Sequence, residues 1–135
     1  MESQARPSYN RQRSFMKPDL SVVVPLFNEE PNLLDLHREL SDVLTAWGRS
    51  YEIILVDDGS TDGSFSVLAD IQSRDNAVRV IRLRKNFGQT AAFAAGFAHA
   101  RGRLIATSDG DLQNDPADLP AVSYTHLTLP TILLV

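Results

Sequence analysis

The sequence predicts an α/β protein in which helices flank both faces of a mostly parallel sheet. From residue 21 to residue 119, short β-branched and aliphatic runs alternate with segments whose apolar residues recur at helical spacing. Polar and acidic residues follow the first, second and fourth of these runs. Because ligands of such sheets bind at the carboxyl ends of the strands, these residues predict a binding site there.

Length and composition restrict the protein to a few classes. The chain has 135 residues, of which 43% are hydrophobic and 22% charged, as expected for one globular domain. It has no cysteine, which excludes disulfides and thiolate metal sites. A net charge of −4 argues against nucleic acid as a partner. No apolar run approaches the roughly 18–20 residues of a transmembrane helix.

The first βα unit begins with a strand over residues 21–27, buried on both faces. Pro25 is expected near its end, because proline cannot donate a hydrogen bond in a central strand. A helix should follow, with Asn28 as its N-cap, Pro31 in its first turn and Gly48 at its end. Its apolar face would contain Leu33, Leu36, Leu40, Val43, Leu44 and Trp47.

Three further strands are predicted at residues 51–56, 78–83 and 104–108. The strand at 78–83 alternates apolar and basic residues, which indicates a more exposed position. Helices are predicted at residues 64–74 and 88–101, the second of them alanine-rich. The crossovers between the parallel strands should be right-handed.

The last strand leads into Asp109-Gly110-Asp111, a candidate metal site. In an extended segment two residues that are two positions apart point the same way, so both carboxylates would face one small volume. Oxygen ligands of this kind suit a hard divalent cation such as Mg²⁺. Gln113 would add a carbonyl oxygen, directly or through water. Zinc is disfavoured, because no histidine-rich set accompanies the strand ends.

Two loops are candidates for ligand contacts. Asp57 and Asp58 follow the second strand, and one carboxylate there would accept hydrogen bonds from a base or ribose. The alternative role of this loop is capping of the next helix by Ser60, Thr61 or Asp62. In the loop at residues 84–89, Arg84 or Lys85 would contact phosphate, unless this is an ordinary basic loop.

Four collinear motifs resemble the family 2 glycosyltransferases, in the branch that includes dolichyl-phosphate mannose synthase and bacterial undecaprenyl-phosphate sugar transferases of the cell envelope. The resemblance covers about residues 21–119. The motifs are VVVPLFNEE (22–30), ILVDDGSTDGS (54–64), LRKNFGQTAAFAAGFAHARG (83–102) and SDGDLQNDP (108–116). The family motif often reads D-A-D-L-Q, and here Gly110 takes the place of the alanine.

The resemblance implies a GT-A fold and inverting, metal-dependent transfer of a sugar from a UDP- or GDP-sugar to an acceptor, expected to be a polyprenyl phosphate. It places Pro25, Phe27 and Glu29 at the base and ribose, and Asp57 or Asp58 at the base. Mg²⁺ or Mn²⁺ would be held against the diphosphate by Asp109, Asp111 and Gln113, with Asp111 as the catalytic ligand. An anionic acceptor phosphate needs no side-chain base.

The composition of the two ends predicts domain limits, and the resemblance implies a location. Residues 1–19 are expected to form a mobile basic arm, residues 20–120 the nucleotide-sugar-binding part, and residues 121–135 a non-native tail without any charged residue. Family members continue well beyond the D-x-D motif, so the full-length protein is expected at the cytoplasmic face of a membrane. Membrane contact by this chain would rest on the basic arm.

Three alternatives remain at this stage. A sugar-nucleotide nucleotidyltransferase would need a glycine-rich basic loop after the first strand, where this chain has Phe27-Asn28-Glu29-Glu30. A receiver domain would need its acidic pair after the first strand and a lysine on a late strand, and no lysine follows Lys85. The third alternative is a non-catalytic protein that only binds the donor.

Overall fold

Parallel strands and helices alternate along residues 17–108, the part of the chain that the computed structural model describes. The 3₁₀ turn Glu30–Asn32 precedes the first helix. The strands are β1 (Leu20–Leu26), β2 (Tyr51–Asp57), β3 (Val78–Arg82) and β4 (Leu104–Thr107). The helices are α1 (Leu33–Trp47), α2 (Ser64–Arg74) and α3 (Gln89–His99).

The sheet has the strand order β3-β2-β1-β4, and each neighbouring pair is parallel. The chain adds β2 and β3 on one side of β1 and then crosses to place β4 on the other side. The order therefore reverses between β1 and β4, the position where open parallel sheets form a ligand crevice. The predicted α/β class with a parallel sheet is confirmed.

Strands β1 and β2 are buried on both faces, as their uninterrupted apolar runs predict. One face packs against α1 and α2, whose inward residues repeat at helical spacing. This core contains Leu20, Val22, Val24, Leu26, Ile53 and Leu55 of the sheet with Leu33, Leu36, Leu40, Leu44, Leu68 and Ile71 of the helices.

The other face of the sheet packs against α3, through Val23, Ile54, Val56 and Ala92. Gly96 lies in the middle of this contact and is buried. Phe93 and Phe97, one turn apart on α3, stack with ring centroids 5.8 Å apart. Helices therefore cover both faces, as the sequence predicted.

The first helix ends at the predicted residue but does not begin at the predicted one. Gly48 ends α1 in the left-handed conformation with φ 85°, as predicted. The prediction that Asn28 caps α1 is wrong, because the 3₁₀ turn intervenes and α1 begins at Leu33. Asn28 has φ 52°, and its side chain bonds instead to the loop that follows β2. Asparagine tolerates this left-handed backbone better than most residues, because its amide can bond locally.

Pro25 is the penultimate residue of β1, as predicted. Pairing of β1 with β4 ends at Val23, whose carbonyl accepts the amide of Ser108 at 3.1 Å. In a strand the backbone N–H and C=O groups of residues two positions apart point toward the same neighbouring strand, so those of residues 23 and 25 both point toward β4. The next hydrogen bond between β1 and β4 would therefore need the amide hydrogen that Pro25 lacks. Pro25 thus coincides with the place where β1 and β4 part.

A buried ionic cluster closes the opposite, amino-terminal edge of the sheet. Glu52 is 2% exposed and accepts hydrogen bonds from Ser21 Oγ at 2.6 Å, the Arg101 amide at 2.8 Å and Arg79 Nη1 at 2.9 Å. Burial alone would raise the pKa of Glu52, but these hydrogen bonds and the charge of Arg79 outweigh it and lower that pKa. The cluster joins β1, β2, β3 and the turn before β4.

Several predictions fall outside the described residues, namely the arm at residues 1–16, the Asp109-Gly110-Asp111 motif with Gln113, and the tail at residues 121–135. The strand predicted at 78–83 is confirmed as a half-exposed edge of the described sheet. None of the helices within residues 17–108 has the length and apolar character of a membrane-spanning helix.

Candidate functional site

The carboxyl ends of β1 and β2 bring two predicted site residues to one edge of the sheet. Leu26 pairs with Asp57, and the Asp58 amide donates to the Leu26 carbonyl at 2.8 Å. Phe27 and Asp58 therefore lie side by side, each just beyond the end of one of two neighbouring strands. Phe27 is 42% exposed although it is large and apolar, because it lies just beyond the last buried residue of β1. This ring is a surface on which a flat ligand can stack.

Asp57 is fully buried at the end of β2. Its Oδ1 accepts the Ser60 amide at 2.9 Å, which shapes the turn. Within residues 17–108, Oδ2 is buried and has no hydrogen-bond partner. Buried carboxylate oxygens are normally paired, because leaving one unpaired costs free energy. Asp57 thus retains one acceptor oxygen for a further donor.

Asp58 is 4% exposed and reaches in a different direction. Its Oδ1 accepts the Phe87 amide at 2.8 Å and its Oδ2 accepts the Gly88 amide at 3.0 Å. The side-chain amide of Asn86 donates to Oδ2 at 3.3 Å. The carboxylate therefore holds two consecutive backbone amides just before α3. The amide groups at the start of a helix favour an anion, and here the Asp58 carboxylate accepts their hydrogen bonds.

The loop before α3 also meets the Asp57–Asp58 turn through backbone atoms. Gly59 has φ 73°, and a β carbon there would lie 2.2 Å from the Lys85 carbonyl carbon. The Lys85 side chain is exposed, and its Nζ lies 5.2 Å from the centroid of the Phe87 ring. Arg84 and Lys85 form no ion pair with any carboxylate in the described part of the chain. Their cationic groups are available at this edge.

The loop after β1 is fastened to the loop after β2. Asn28 Oδ1 accepts the amides of Thr61 at 2.8 Å and Asp62 at 3.2 Å. The amide of Glu29 donates to Ser64 Oγ at 3.1 Å, and Glu29 Oε1 accepts from the Asn32 side chain at 2.8 Å. The described hydrogen bonds of Glu29 are thus made with Ser64, at the start of α2, and with Asn32, and none is made with Asp58.

The prediction that Ser60, Thr61 or Asp62 caps α2 is wrong, because Gly63 occupies the N-cap position. Asp62 lies one residue earlier and bonds locally. Asp62 Oδ1 accepts the amide of Ser64, the first residue of α2, at 2.9 Å. Hydrogen bonds from Ser64, first from its side chain, lower the pKa of the exposed Asp62 carboxyl. This local hydrogen bond occupies Asp62, and the carboxylates of Asp57 and Asp58 make other contacts.

The sequence motif of the candidate metal site begins one residue beyond the described part. Ser108, the last described residue, is 6% exposed and its amide bonds to Val23 of β1. The described part of the chain therefore ends on the β4 side of the crevice. Within residues 17–108, no group of three or more acidic or histidine side chains is arranged to hold a metal ion.

The structure brings together five of the residues predicted to bind substrate: Pro25, Phe27, Asp57, Asp58 and the backbone of Lys85. Sequence reasoning missed the roles of Gly59 and Asn86, which join the second and third loops. It also missed Asn28 as a link between the first two loops. For Gly59 a signal was present, since glycine after two aspartates is typical of a left-handed turn position.

Several known proteins are similar to this chain in sequence. The family model described as glycosyl transferase family 2 matches residues 21–127 of the chain. The chain is 49% identical over 105 residues to dodecaprenyl-phosphate galacturonate synthase of Rhizobium johnstonii, covering 77% of this chain and 31% of that protein. It is 47% identical over 110 residues to undecaprenyl-phosphate 4-deoxy-4-formamido-L-arabinose transferase of Pseudomonas paraeruginosa, covering 78% and 32%. The chain spans about a third of the length of these curated relatives.

Solved structures show the same arrangement. Mannosyltransferase PcManGT from Pyrobaculum calidifontis, in complex with GDP-Man and Mn²⁺, aligns with a TM-score of 0.62 over 95% of this chain and 41% of its own, at 22% identity. TarS 1-349 of S. aureus in complex with UDP aligns with a TM-score of 0.56 over 69% of this chain and 27% of its own, at 26% identity. The first likeness concerns the fold alone.

Proposed function

The chain belongs to glycosyl transferase family 2, and from this premise we propose that it binds a nucleotide-sugar donor for sugar transfer to a polyprenyl phosphate. The observation that carries the proposal is the convergence of Phe27, the Asp57–Asp58 turn and the Lys85 loop at one carboxyl edge of a parallel sheet. This edge borders the point where the strand order reverses.

The acceptor is inferred from the relatives. Both curated relatives are named as enzymes that use a polyprenyl phosphate, dodecaprenyl-phosphate in one case and undecaprenyl-phosphate in the other. Such an acceptor is a lipid, so the enzyme would work at a membrane surface, on the cytoplasmic face where nucleotide sugars are found. The basic residues Arg6, Arg11, Arg13 and Lys17 would favour an anionic surface.

The donor site would lie at the carboxyl ends of β1 and β2, beside the loop that contains Lys85. The exposed Phe27 ring would stack on the base, and Asp57 or Asp58 would accept a hydrogen bond from it. Pro25 and Glu29 would line the ribose. Lys85, which forms no ion pair in the described residues, would lie near the diphosphate. The complexes of structural neighbours with UDP and with GDP-Man support a nucleoside diphosphate in this fold.

Donor binding would depend on a divalent metal ion. Asp109, Asp111 and Gln113 offer only oxygen donors, a set that fits Mg²⁺ or Mn²⁺ and not zinc. A bound divalent cation would neutralise charge on the departing diphosphate. Asp111→Asn should abolish Mn²⁺-dependent nucleotide binding, whereas Asp115→Asn should leave it intact. Unchanged affinity of the Asp111 variant in a calorimetric titration would remove this residue from the site.

The reaction follows from the chemistry of its partners. An oxygen of the acceptor phosphate attacks the anomeric carbon from the side opposite to the nucleotide. The bond from that carbon to the diphosphate oxygen breaks, the diphosphate takes the electron pair, and the configuration inverts. Since the attacking oxygen is already anionic, no side chain has to remove a proton. Phe27 and Lys85 hold the two ends of the leaving nucleotide.

Donor binding is the step to test first. The purified chain is titrated by calorimetry with UDP, GDP, ADP and CDP, each with Mn²⁺ and with EDTA. Selective binding of UDP or GDP supports the proposal. Failure to bind any of the four nucleotides, or equal affinity for all four, contradicts it. Transfer is then assayed with the matching nucleotide sugars and undecaprenyl phosphate. Release of pyrophosphate from a nucleoside triphosphate and a sugar 1-phosphate would instead favour a nucleotidyltransferase.

A further inference from the structure

Asp58 and Lys85 are linked through Phe87. The Asp58 carboxylate accepts the amides of Phe87 at 2.8 Å and Gly88 at 3.0 Å, which fixes the backbone of Phe87. The Phe87 ring in turn lies 5.2 Å from Lys85 Nζ, within the range of a cation–π contact. We infer that Asp58 is a positioning residue that holds the Lys85 ammonium at the nucleotide site by way of Phe87.

The arrangement is specific rather than a general surface contact. Asp58 is 4% exposed, so its charge is satisfied by the loop and little by water. Phe87, by contrast, is 49% exposed, so its ring is not fixed by packing in the core. The place of this ring depends on its backbone, and two of the hydrogen bonds that set that backbone end on Asp58.

Backbone contact strengthens the link. A β carbon on Gly59 would lie 2.2 Å from the Lys85 carbonyl carbon and 2.4 Å from the Asn86 nitrogen. The turn after β2 and the loop before α3 therefore touch over two successive residues. A lysine side chain has high rotamer freedom, and holding it in place before binding reduces the entropy lost when a ligand arrives.

The inference rests on the proposed function, because it assigns to Lys85 the diphosphate of a nucleotide donor. It differs from a direct contact between Asp58 and the base in one measurable respect. A residue that acts through Lys85 affects the affinity for nucleoside diphosphates only. A residue that touches the base affects the affinity for nucleosides as well.

The experiment compares UDP and GDP with uridine and guanosine, by NMR titration of the ¹⁵N-labelled chain. Asp58→Asn and Lys85→Gln should each weaken diphosphate binding by about tenfold, the usual range for one charge-assisted contact. Nucleoside affinities should not change. The double variant should lose no more than either single variant, because both act on one contact. Asp62→Asn, in the same turn but exposed, is the matched control and should keep wild-type affinity.

Several outcomes would overturn the positioning role of Asp58. An equal loss of nucleoside affinity in Asp58→Asn assigns Asp58 to the base and overturns the inference, as do additive losses in the double variant. If Asp58→Asn fails to fold, Phe87→Leu replaces it, and an unchanged diphosphate affinity in that variant is equally contradictory. Wild-type chain that binds neither UDP nor GDP contradicts the proposed function itself. Amide signals of Phe87 and Gly88 that do not move in Asp58→Asn overturn the link independently of any ligand.

Discussion

Gly96 of α3 lies so close to Val23 of β1 that a β carbon on the glycine would come within 2.3 Å of Val23 Cγ1. The same carbon would lie 3.3 Å from Val56 Cγ2 of β2. The absence of a side chain at this position lets α3 approach the two central strands, and α3 begins beside the candidate site.

Gly96→Ala should therefore destabilise the protein. Alanine favours a helix over glycine by about 1 kcal/mol, but overpacking of a core contact costs about 1–3 kcal/mol. We expect a net loss of up to about 2 kcal/mol in the free energy of unfolding, measured by urea denaturation. The substitution should cost less in a Val23→Ala background, which removes the methyl groups that the new carbon meets. An equal cost in both backgrounds would mean that the close contact does not limit stability.

Gly59 and Gly48 form a matched pair. Both have positive φ, 73° and 85°, so alanine at either position pays for a left-handed backbone, about 1–2 kcal/mol. At Gly48 the space around a β carbon is open, whereas at Gly59 it is filled by the Lys85 and Asn86 backbone. Gly59→Ala should thus destabilise the protein more than Gly48→Ala in thermal unfolding. It should also shift the amide signals of residues 85–88, and equal effects of the two substitutions would contradict this contact.

Glu52 should make stability depend on pH. Its pKa is lowered in the folded protein, since hydrogen bonds and Arg79 outweigh burial. Its contribution is therefore fully present above the unfolded-state pKa, about 4.3, and is lost as the pH falls through the folded-state pKa. Urea denaturation between neutral and acidic pH should show this decline.

Glu52→Gln tests the same carboxylate at neutral pH. It should cost about 1–2 kcal/mol, because the charge-assisted hydrogen bonds to a side chain that is only 3% exposed become weaker, neutral-acceptor ones. The loss stays moderate because the side chains of Arg79 and Arg101 are 36% and 42% exposed and keep contact with water. It should also flatten the decline in stability at acidic pH. Asp42→Asn, an exposed change on α1, is the control and should preserve both the stability and its pH dependence. A variant of Glu52 that behaves like the Asp42 control would contradict a structural role for the cluster.

Phe27 should matter for binding and little for folding. Its ring is 42% exposed, so Phe27→Ala should leave the unfolding temperature nearly unchanged. If the ring stacks on the base, nucleotide affinity should fall by about 1–3 kcal/mol, as measured by calorimetry. Leu34→Ala removes another exposed apolar side chain, 55% exposed in the first turn of α1, and should not affect the affinity. Equal affinities of the two variants would exclude stacking on Phe27.

The local pattern of the sequence determined the elements of the fold and the edge of the sheet where the candidate site lies. Uninterrupted apolar runs predicted strands buried on both faces, helical spacing predicted the faces of α1 and α2, and acidic residues after the strands marked the carboxyl edge. These features can be predicted from the sequence because each depends on residues within a few positions of one another. The one helix start that was misplaced, at Asn28, failed because its side chain bonds a loop about one βα unit away in the chain.

Only the tertiary structure decided what the acidic residues at that edge contact. The sequence treated Asp57 and Asp58 as equivalent, but Asp58 accepts amides from residues 29 and 30 positions further along the chain while one oxygen of Asp57 has no partner in residues 17–108. The place of β4 beside β1, and the close contact of Gly96 with Val23, likewise join distant parts of the chain. Such contacts form when separate βα units pack against each other, and no periodicity within a single unit specifies them.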